Sequence, residues 1–297
     1  PLVALRGCES LPAPPPTAGD PSASRFAPQG VARTGGATRP TTSPARATGS
    51  AERPALALPQ TTPVRGSVDP ASLTWQQRFP RVRSARQELA PIIAQLFAQA
   101  GVSYPGHQLL IRVFKSEELL ELWVQPAAGR QLQLLKTYDI CARSGGLGPK
   151  RRQGDRQVPE GFYQIDRFNP ASRFHLSLGL NYPNSSDRLL SDPQRPGGDI
   201  FIHGDCVTIG CVPLTDRFIK ELYVIALDSH EAGRPVAVHV FPARMVGASW
   251  TALEQRAGAD AELLAFWQNL RRGFDYVERH KRLPAISIDR RGRYSFR

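Results

Sequence analysis

Apolar side chains recur along the chain in two rhythms. Between Arg81 and Ala100, the positions Val82, Leu89, Ile93, Leu96 and Phe97 fall at helical spacing. They predict one helix, kinked at Pro91 and ended by Gly101. The rhythm then shortens: Gln108–Phe114, Leu119–Val124 and Leu132–Ile140 are β-type runs, broken by Ser116-Glu117 and by Pro126–Gly129. A Gly/Arg loop at Ser144–Gly154 precedes two more predicted strands, Gly161–Phe168 and Arg173–Leu178. Asp199–His203 reads as a buried strand with a polar exit, Thr215–Asp228 as a helix, and Pro235–Phe241 as a strand. Asp260–Arg282 carries Leu263, Phe266, Trp267, Leu270, Phe274 and Val277 at three- and four-residue spacing, the packing stripe of an amphipathic helix. There is no internal repeat, and no βαβ alternation that would predict a parallel sheet. The pattern predicts an α+β fold, mostly β, with a few covering helices.

Composition changes the picture at the N-terminus. Residues 1–70 hold 13 of the 27 prolines and only one aromatic, Phe26. So few bulky side chains cannot offset the entropy of ordering, and a disordered segment is expected there. About 225 residues remain for a folded part. No run of about 18 apolar residues occurs, so no bilayer-spanning helix is expected. Four cysteines are too sparse for a disulfide-built scaffold. The net charge of +12 divides unevenly: residues 1–70 contribute +3, residues 271–297 contribute +6, and the 200 residues between contribute +3. The excess lies outside the expected core, which argues against a nucleic-acid partner. The chain starts at Pro1 without a Met, as a piece of a longer precursor would. Leu5-Arg6-Gly7-Cys8 has the form of a lipobox, with Arg6 departing from it. Lipidation of Cys8 would make residues 9–70 a tether to a membrane, with a reach of roughly 40–50 Å.

The chemistry-bearing residues concentrate in Ile200-Phe201-Ile202-His203-Gly204-Asp205-Cys206-Val207-Thr208-Ile209-Gly210-Cys211-Val212-Pro213-Leu214-Thr215-Asp216. A strand ending in His203 would hold an imidazole rigidly, and a Gly-containing loop could return Cys211 to it. An imidazole and a helix N-terminus near Thr215 would both favour the thiolate. Gly210 would let the backbone approach a carbonyl, with its amide turned toward a developing oxyanion. Three readings compete. They are a nucleophilic His203/Cys211 site, a metal held by His203, Cys206 and Cys211 without an obvious fourth ligand, and a Cys206–Cys211 disulfide. The order His then Cys is not that of papain-like enzymes.

Ile202-His203-Gly204 followed by Thr208-Ile209-Gly210-Cys211 resembles the L,D-transpeptidase (YkuD) catalytic-domain family, and within it the YafK-like branch, whose segment reads His-Gly-x-Cys-x-Ser/Thr-x-Gly-Cys and then Thr-Asp. Gly148-Pro149-Lys150, Gly154-Asp155-Arg156-Gln157-Val158-Pro159-Glu160-Gly161-Phe162-Tyr163, the stretch from Asn169-Pro170 to His175, and Asn181-Tyr182-Pro183-Asn184 extend the likeness over about residues 108–243. The resemblance implies a mostly antiparallel β-sandwich with covering helices. It implies acyl transfer on peptidoglycan stem peptides, with Cys211 as nucleophile, His203 as general base and a thioester formed at a carbonyl adjoining meso-diaminopimelate. An amine of a second stem peptide would resolve it. The alternatives are water, as in an amidase that releases wall-linked lipoprotein, and a non-catalytic wall-binding module. Two residues depart from the family pattern: Ile209 stands where the family has a second His, and Pro213 where it has Arg or Asn.

On this reading the chain divides into a signal or lipobox remnant and linker (1–70), an N-terminal helical segment (71–107), a catalytic domain (108–243), and a C-terminal helical extension with a basic tail (244–297). The expected location is the periplasm of a Gram-negative bacterium, with Cys8 as a lipid anchor. No cofactor or metal is called for. Gly204 and Thr208 are supporting residues: Thr208 could orient His203 or close the turn. His175, Asp155 and Arg156 are candidates for substrate contact. Cys206 reads either as a small buried residue or as a redox partner that attacks Cys211.

Overall fold

The computed structural model describes residues 74–297. The predicted linker and Cys8 lie outside the described residues. The elements in chain order are α1 (Pro80–Gln99), β1 (Gln108–Phe114), β2 (Leu119–Gln125), β3 (Gln133–Asp139), β4 (Gly161–Asn169), β5 (Ser177–Leu180), α2 (Ser185–Leu190), β6 (Phe201–His203), β7 (Val212–Pro213), α3 (Asp216–Glu231), β8 (Val236–Phe241), α4 (Gly247–Ala257), α5 (Ala261–His280), β9 (Ile286–Ile288) and β10 (Tyr294–Phe296). Pro80 opens α1, where its missing amide costs nothing, and the helix continues past Pro91.

Eight strands form one curled sheet in the order β3-β2-β1-β8-β4-β5-β6-β7, and β9 pairs with β10. Strand β4 belongs to both halves. Its residues Gly161–Gln164 pair with β8, Ile165–Asn169 pair with β5, and the register shifts between Ile165 and Arg167. Such a shift bends and twists a strand, which is how one strand turns from one half to the other. Most ladders are antiparallel, but β1 with β8 and β6 with β7 run parallel. The sequence carried no sign of these, because β8 reaches β1 from more than a hundred residues away.

Alternation sorts the core into two layers. Leu109, Ile111 and Val113 of β1 and Val236, Val238 and Val240 of β8 face α1 and α3. Phe114 and Phe241 face Trp250 of α4 and Trp267 and Phe274 of α5. Strands buried on both faces read as continuous apolar runs, which explains why β1 and β2 were legible. Arg112 is a buried charge on the α5 side. It is fully buried, its Nη1 lies 2.6 Å from Glu278 Oε1, and its guanidinium sits over the Phe274 ring.

Two expectations need correction. The strand predicted at Arg173–Leu178 runs instead from Ser177 to Leu180, because His175 takes a left-handed φ of 69° that breaks the extended chain. Helix α4 was not expected: its buried residues are only Trp250, Leu253 and Ala257, too few for a stripe.

Candidate active site

The sheet's two edges approach each other at the predicted site. The Cys141 amide, just beyond β3, donates to the Pro213 carbonyl of β7 at 3.2 Å. Cys141 is also disulfide-bonded to Cys206, with Cα atoms 5.4 Å apart. This corrects three readings of Cys206. It is exposed rather than a small buried residue, it is bonded to Cys141 rather than poised against Cys211, and a sulfur held in that bond is not a thiolate ligand for a metal. The Cys206–Cys211 disulfide is likewise excluded. Sequence reasoning overlooked Cys141. Spacing gave no sign of the pairing, because Cys141 and Cys206 lie 65 residues apart.

Strand β6 lies parallel to β7 with Ile202 opposite Val212 and His203 opposite Pro213. In that register His203 and Cys211 share a face as diagonal neighbours, one strand apart. Both are about 1% exposed. The His203 Nδ1 is 2.5 Å from the Gly204 carbonyl oxygen. A carbonyl only accepts, so Nδ1 carries a proton and the imidazole plane is fixed by that bond. The Phe174 ring packs against the imidazole, centroids 4.8 Å apart. At Cys211 the Phe201 N–H donates to Sγ at 3.2 Å, and the Asp199 carbonyl lies 3.8 Å from the sulfur.

The loop between them is held by side chains. Thr208 closes the turn and does not orient His203: its Oγ1 accepts the Cys211 N–H at 2.8 Å and the Gly210 N–H at 3.3 Å, and donates to the Cys211 carbonyl at 2.9 Å. The amides expected to form an oxyanion site are therefore engaged by a hydroxyl. Gly210 is nonetheless required, with φ of 134° and the Gln157 carbonyl only 3.1 Å from where a Cβ would stand. At Gly204 a Cβ would stand 2.6 Å from Asp216 Oδ1 and 2.8 Å from the Phe174 carbonyl, so only glycine fits where the residue-204 carbonyl meets the imidazole. Asp216, at the start of α3, accepts the Asp205 N–H at 3.0 Å. Neither Phe174 nor Asp216 was assigned a role from sequence. The helix N-terminus expected to act on Cys211 is separated from it by extended β7, and a helix field fades within its first turn.

Two concavities flank this centre. One, of about 270 Å³, is lined by Cys211 and Val212 together with Lys115, Glu118, Arg143 and Arg256. The other, of about 420 Å³, is lined by His175, Asp205, Cys206 and Asp216 with Arg81 and Arg173. His175 thus faces a cavity near the site. Burial holds its pKa below the usual value against the pull of Asp216, so it is neutral at pH 7. Asp155 is not available to substrate. Burial would raise its pKa, but Lys150 at 2.6 Å and the amides of Arg151, Arg152 and Gln157 outweigh that and lower it, making it the pin of its own loop. Arg156 is exposed and has a left-handed φ of 59°. Its carbonyl lies 2.7 Å from where a Cβ of Gly145 would stand, so its backbone serves packing.

The curled sheet sets His203, at the end of one strand, beside Cys211, just before the next, and comparison with known proteins gives the family. Residues 110–238 match the L,D-transpeptidase catalytic domain, YkuD. The chain is 38% identical over 192 residues to the Escherichia coli (strain K12) protein named "Putative L,D-transpeptidase YafK", covering 64% of this chain and 74% of that one. The chain belongs to the L,D-transpeptidase family. Among solved structures, the helical cell shape determining protein Pgp2 from Campylobacter jejuni is similar with a TM-score of 0.40 at 17% identity, over 63% of this chain and 74% of that chain. Bd1075 from Bdellovibrio bacteriovorus is similar with a TM-score of 0.34 at 21% identity, over 60% and 63% of the two chains.

Proposed function

We propose that this protein is a peptidoglycan-acting cysteine acyl transferase. The observation that carries the reading is the pairing of β6 with β7, which puts His203 and Cys211, both buried, on one face. His203 Nε2 takes the thiol proton as Sγ attacks the carbonyl adjoining meso-diaminopimelate in a stem peptide. The C–N bond breaks, the imidazolium returns the proton to the departing amine, and a thioester remains on Cys211. The amine of a second stem peptide then attacks the thioester, His203 again accepting its proton, and the free thiol is restored. During attack the carbonyl oxygen competes with the Thr208 hydroxyl for the Gly210 and Cys211 amides.

The Cys141–Cys206 disulfide supports an oxidising compartment, in keeping with the periplasm of a Gram-negative bacterium. Lipidation at Cys8 would add an anchor there.

The test is incubation of the protein with sacculi, followed by muropeptide analysis and intact-mass measurement of the thioester, for wild type against Cys211→Ala. New crosslinks that require Cys211 support transpeptidation. Released peptide or lipoprotein that requires Cys211 replaces it with amidase activity. A folded protein that never acylates would be a wall-binding module, and the proposal would fall.

A further inference from the structure

The cavity beside Cys211 contains four charged side chains, and they are not equivalent. Lys115 is fully engaged: its Nζ reaches the Gly148 carbonyl at 2.9 Å, the Val158 carbonyl at 2.9 Å and Glu160 Oε1 at 2.8 Å, which accounts for all three ammonium protons. It holds the wall of the cavity and has no donor left for a ligand. Arg143 differs. Its side chain is 76% exposed and its Nη1 lies 3.1 Å from Glu118 Oε1. A solvated pair of this kind contributes at most about 1 kcal/mol to stability, so a ligand can exchange with it at little cost. Arg256, at the end of α4, has its guanidinium beside Gly146 on the same wall.

The positions of Arg143 and Glu118 are set by the fold. Arg143 follows Cys141 by two residues, and Cys141 is fixed both by its disulfide to Cys206 and by its amide bond to Pro213. Glu118 sits at the turn between β1 and β2 with a left-handed φ of 54°, a conformation costly for a non-glycine residue. Its carbonyl is tied to the Ile140 amide at 2.8 Å. Pro213, two residues beyond Cys211, carries no charge, so positive charge near the scissile bond comes from across the cavity. Arg143, Arg256 and Glu118 together leave one net positive charge there.

We propose that the Glu118–Arg143 pair is the specificity element for a zwitterionic amino-acid end group on the stem peptide. Arg143 binds its carboxylate, Glu118 binds its ammonium, and Arg256 takes a second carboxylate on the same peptide. The assignment rests on Cys211 as the attacking group, because the cavity it lines then becomes the place where the acyl donor lies. A ligand carrying adjacent opposite charges replaces each partner of the pair with a charge of the same sign, so neither Arg143 nor Glu118 is left uncompensated.

Binding separates this proposal from catalysis. The Cys211→Ala protein is titrated calorimetrically with a tetrapeptide stem whose diaminopimelate end is free, with the same peptide amidated at that carboxylate, and with the peptide N-acetylated at that amine. Arg143→Gln in this background is expected to weaken the free peptide 10- to 30-fold and the amidated one less than threefold. Glu118→Gln is expected to weaken the free peptide and leave the acetylated one unchanged. Thermal melts confirm folding, which substitution of exposed side chains leaves intact. Equal losses on all three peptides, or no binding, would overturn the proposal. Wild-type protein that neither transfers nor hydrolyses, yet keeps this discrimination in binding, would overturn the acyl-transfer reading and uphold the pocket. An active enzyme in which Arg143→Gln costs the free and the amidated peptide equally would do the reverse.

Discussion

The middle of the sheet and the seam where its edges meet are built by opposite means. In the middle, β1 pairs with β2 along seven residues and with β8 along six, and the two faces are filled by apolar side chains. At the seam, β6 is three residues long and β7 two, too short to satisfy the backbone between them. There the Thr208 hydroxyl, the Asp216 carboxylate and the Cys141–Cys206 disulfide stand in for missing ladder bonds. A complete ladder fixes backbone but leaves no backbone group to point elsewhere. The incomplete one lets a carbonyl face an imidazole and an amide face a sulfur, at the cost of needing side chains to hold them.

Four measurements would break or sharpen that contrast. The largest effect is expected at the seam. The Cys141→Ser/Cys206→Ser double variant removes a cross-link spanning 65 residues, worth about 4 kcal/mol by loop-closure entropy, and chemical denaturation should show the loss. A change below about 1 kcal/mol would mean the seam holds without it. In the middle, Leu122→Ala at a fully buried position should cost about 3 kcal/mol in the same assay while leaving kcat of the folded protein unaltered. A fall in kcat would show that the two regions are coupled.

The third concerns β4, which joins them. Burial pushes Asp187, hydrogen-bonded to Tyr163 of β4, up to about 6. A carboxyl whose pKa is raised on folding holds a proton that the unfolded chain has released. Its contribution is therefore intact below about pH 4, the ordinary carboxylate value, and is lost as pH rises to about 6. Stability should fall by roughly 2–3 kcal/mol across that window, and Asp187→Asn should flatten the fall. A slope that persists in the variant would assign it to other groups. The smallest effect is Thr208→Val, expected to cost about 1–2 kcal/mol of stability because two amides lose their acceptor. Its kcat should change more than its KM, since the same amides sit beside the nucleophile. An unchanged kcat would show that the turn holds without its hydroxyl.

Legibility followed the same division. Strands β1 to β4 and helices α3 and α5 were readable because burial imposes a period on their side chains, and the places of His203 at a strand's end and Cys211 beyond a Gly-containing loop were readable because a strand and a helix bracket them. What could not be read were contacts between distant segments: β8 beside β1, Cys141 against Cys206, and Arg143 brought to the cavity that Cys211 lines. Asp155 was misjudged because a carboxylate that pins its own loop has the same local sequence as one that greets a ligand. Thr208 and Gly210 were identified as important, but the direction of their amides depends on a hydroxyl rotamer that no spacing encodes.

The disulfide also changes what a break in the chain would do. Residues 141 to 206 form a covalent ring that contains β4, β5, α2 and β6, and His203 lies within it while Cys211 lies just outside. One proteolytic cut anywhere inside that ring leaves two pieces still joined through sulfur, with β6 still able to lie beside β7. Under non-reducing conditions such a nicked molecule migrates as a single species, and only reduction releases the fragments. The cross-link is thereby a tolerance to damage as well as a brace.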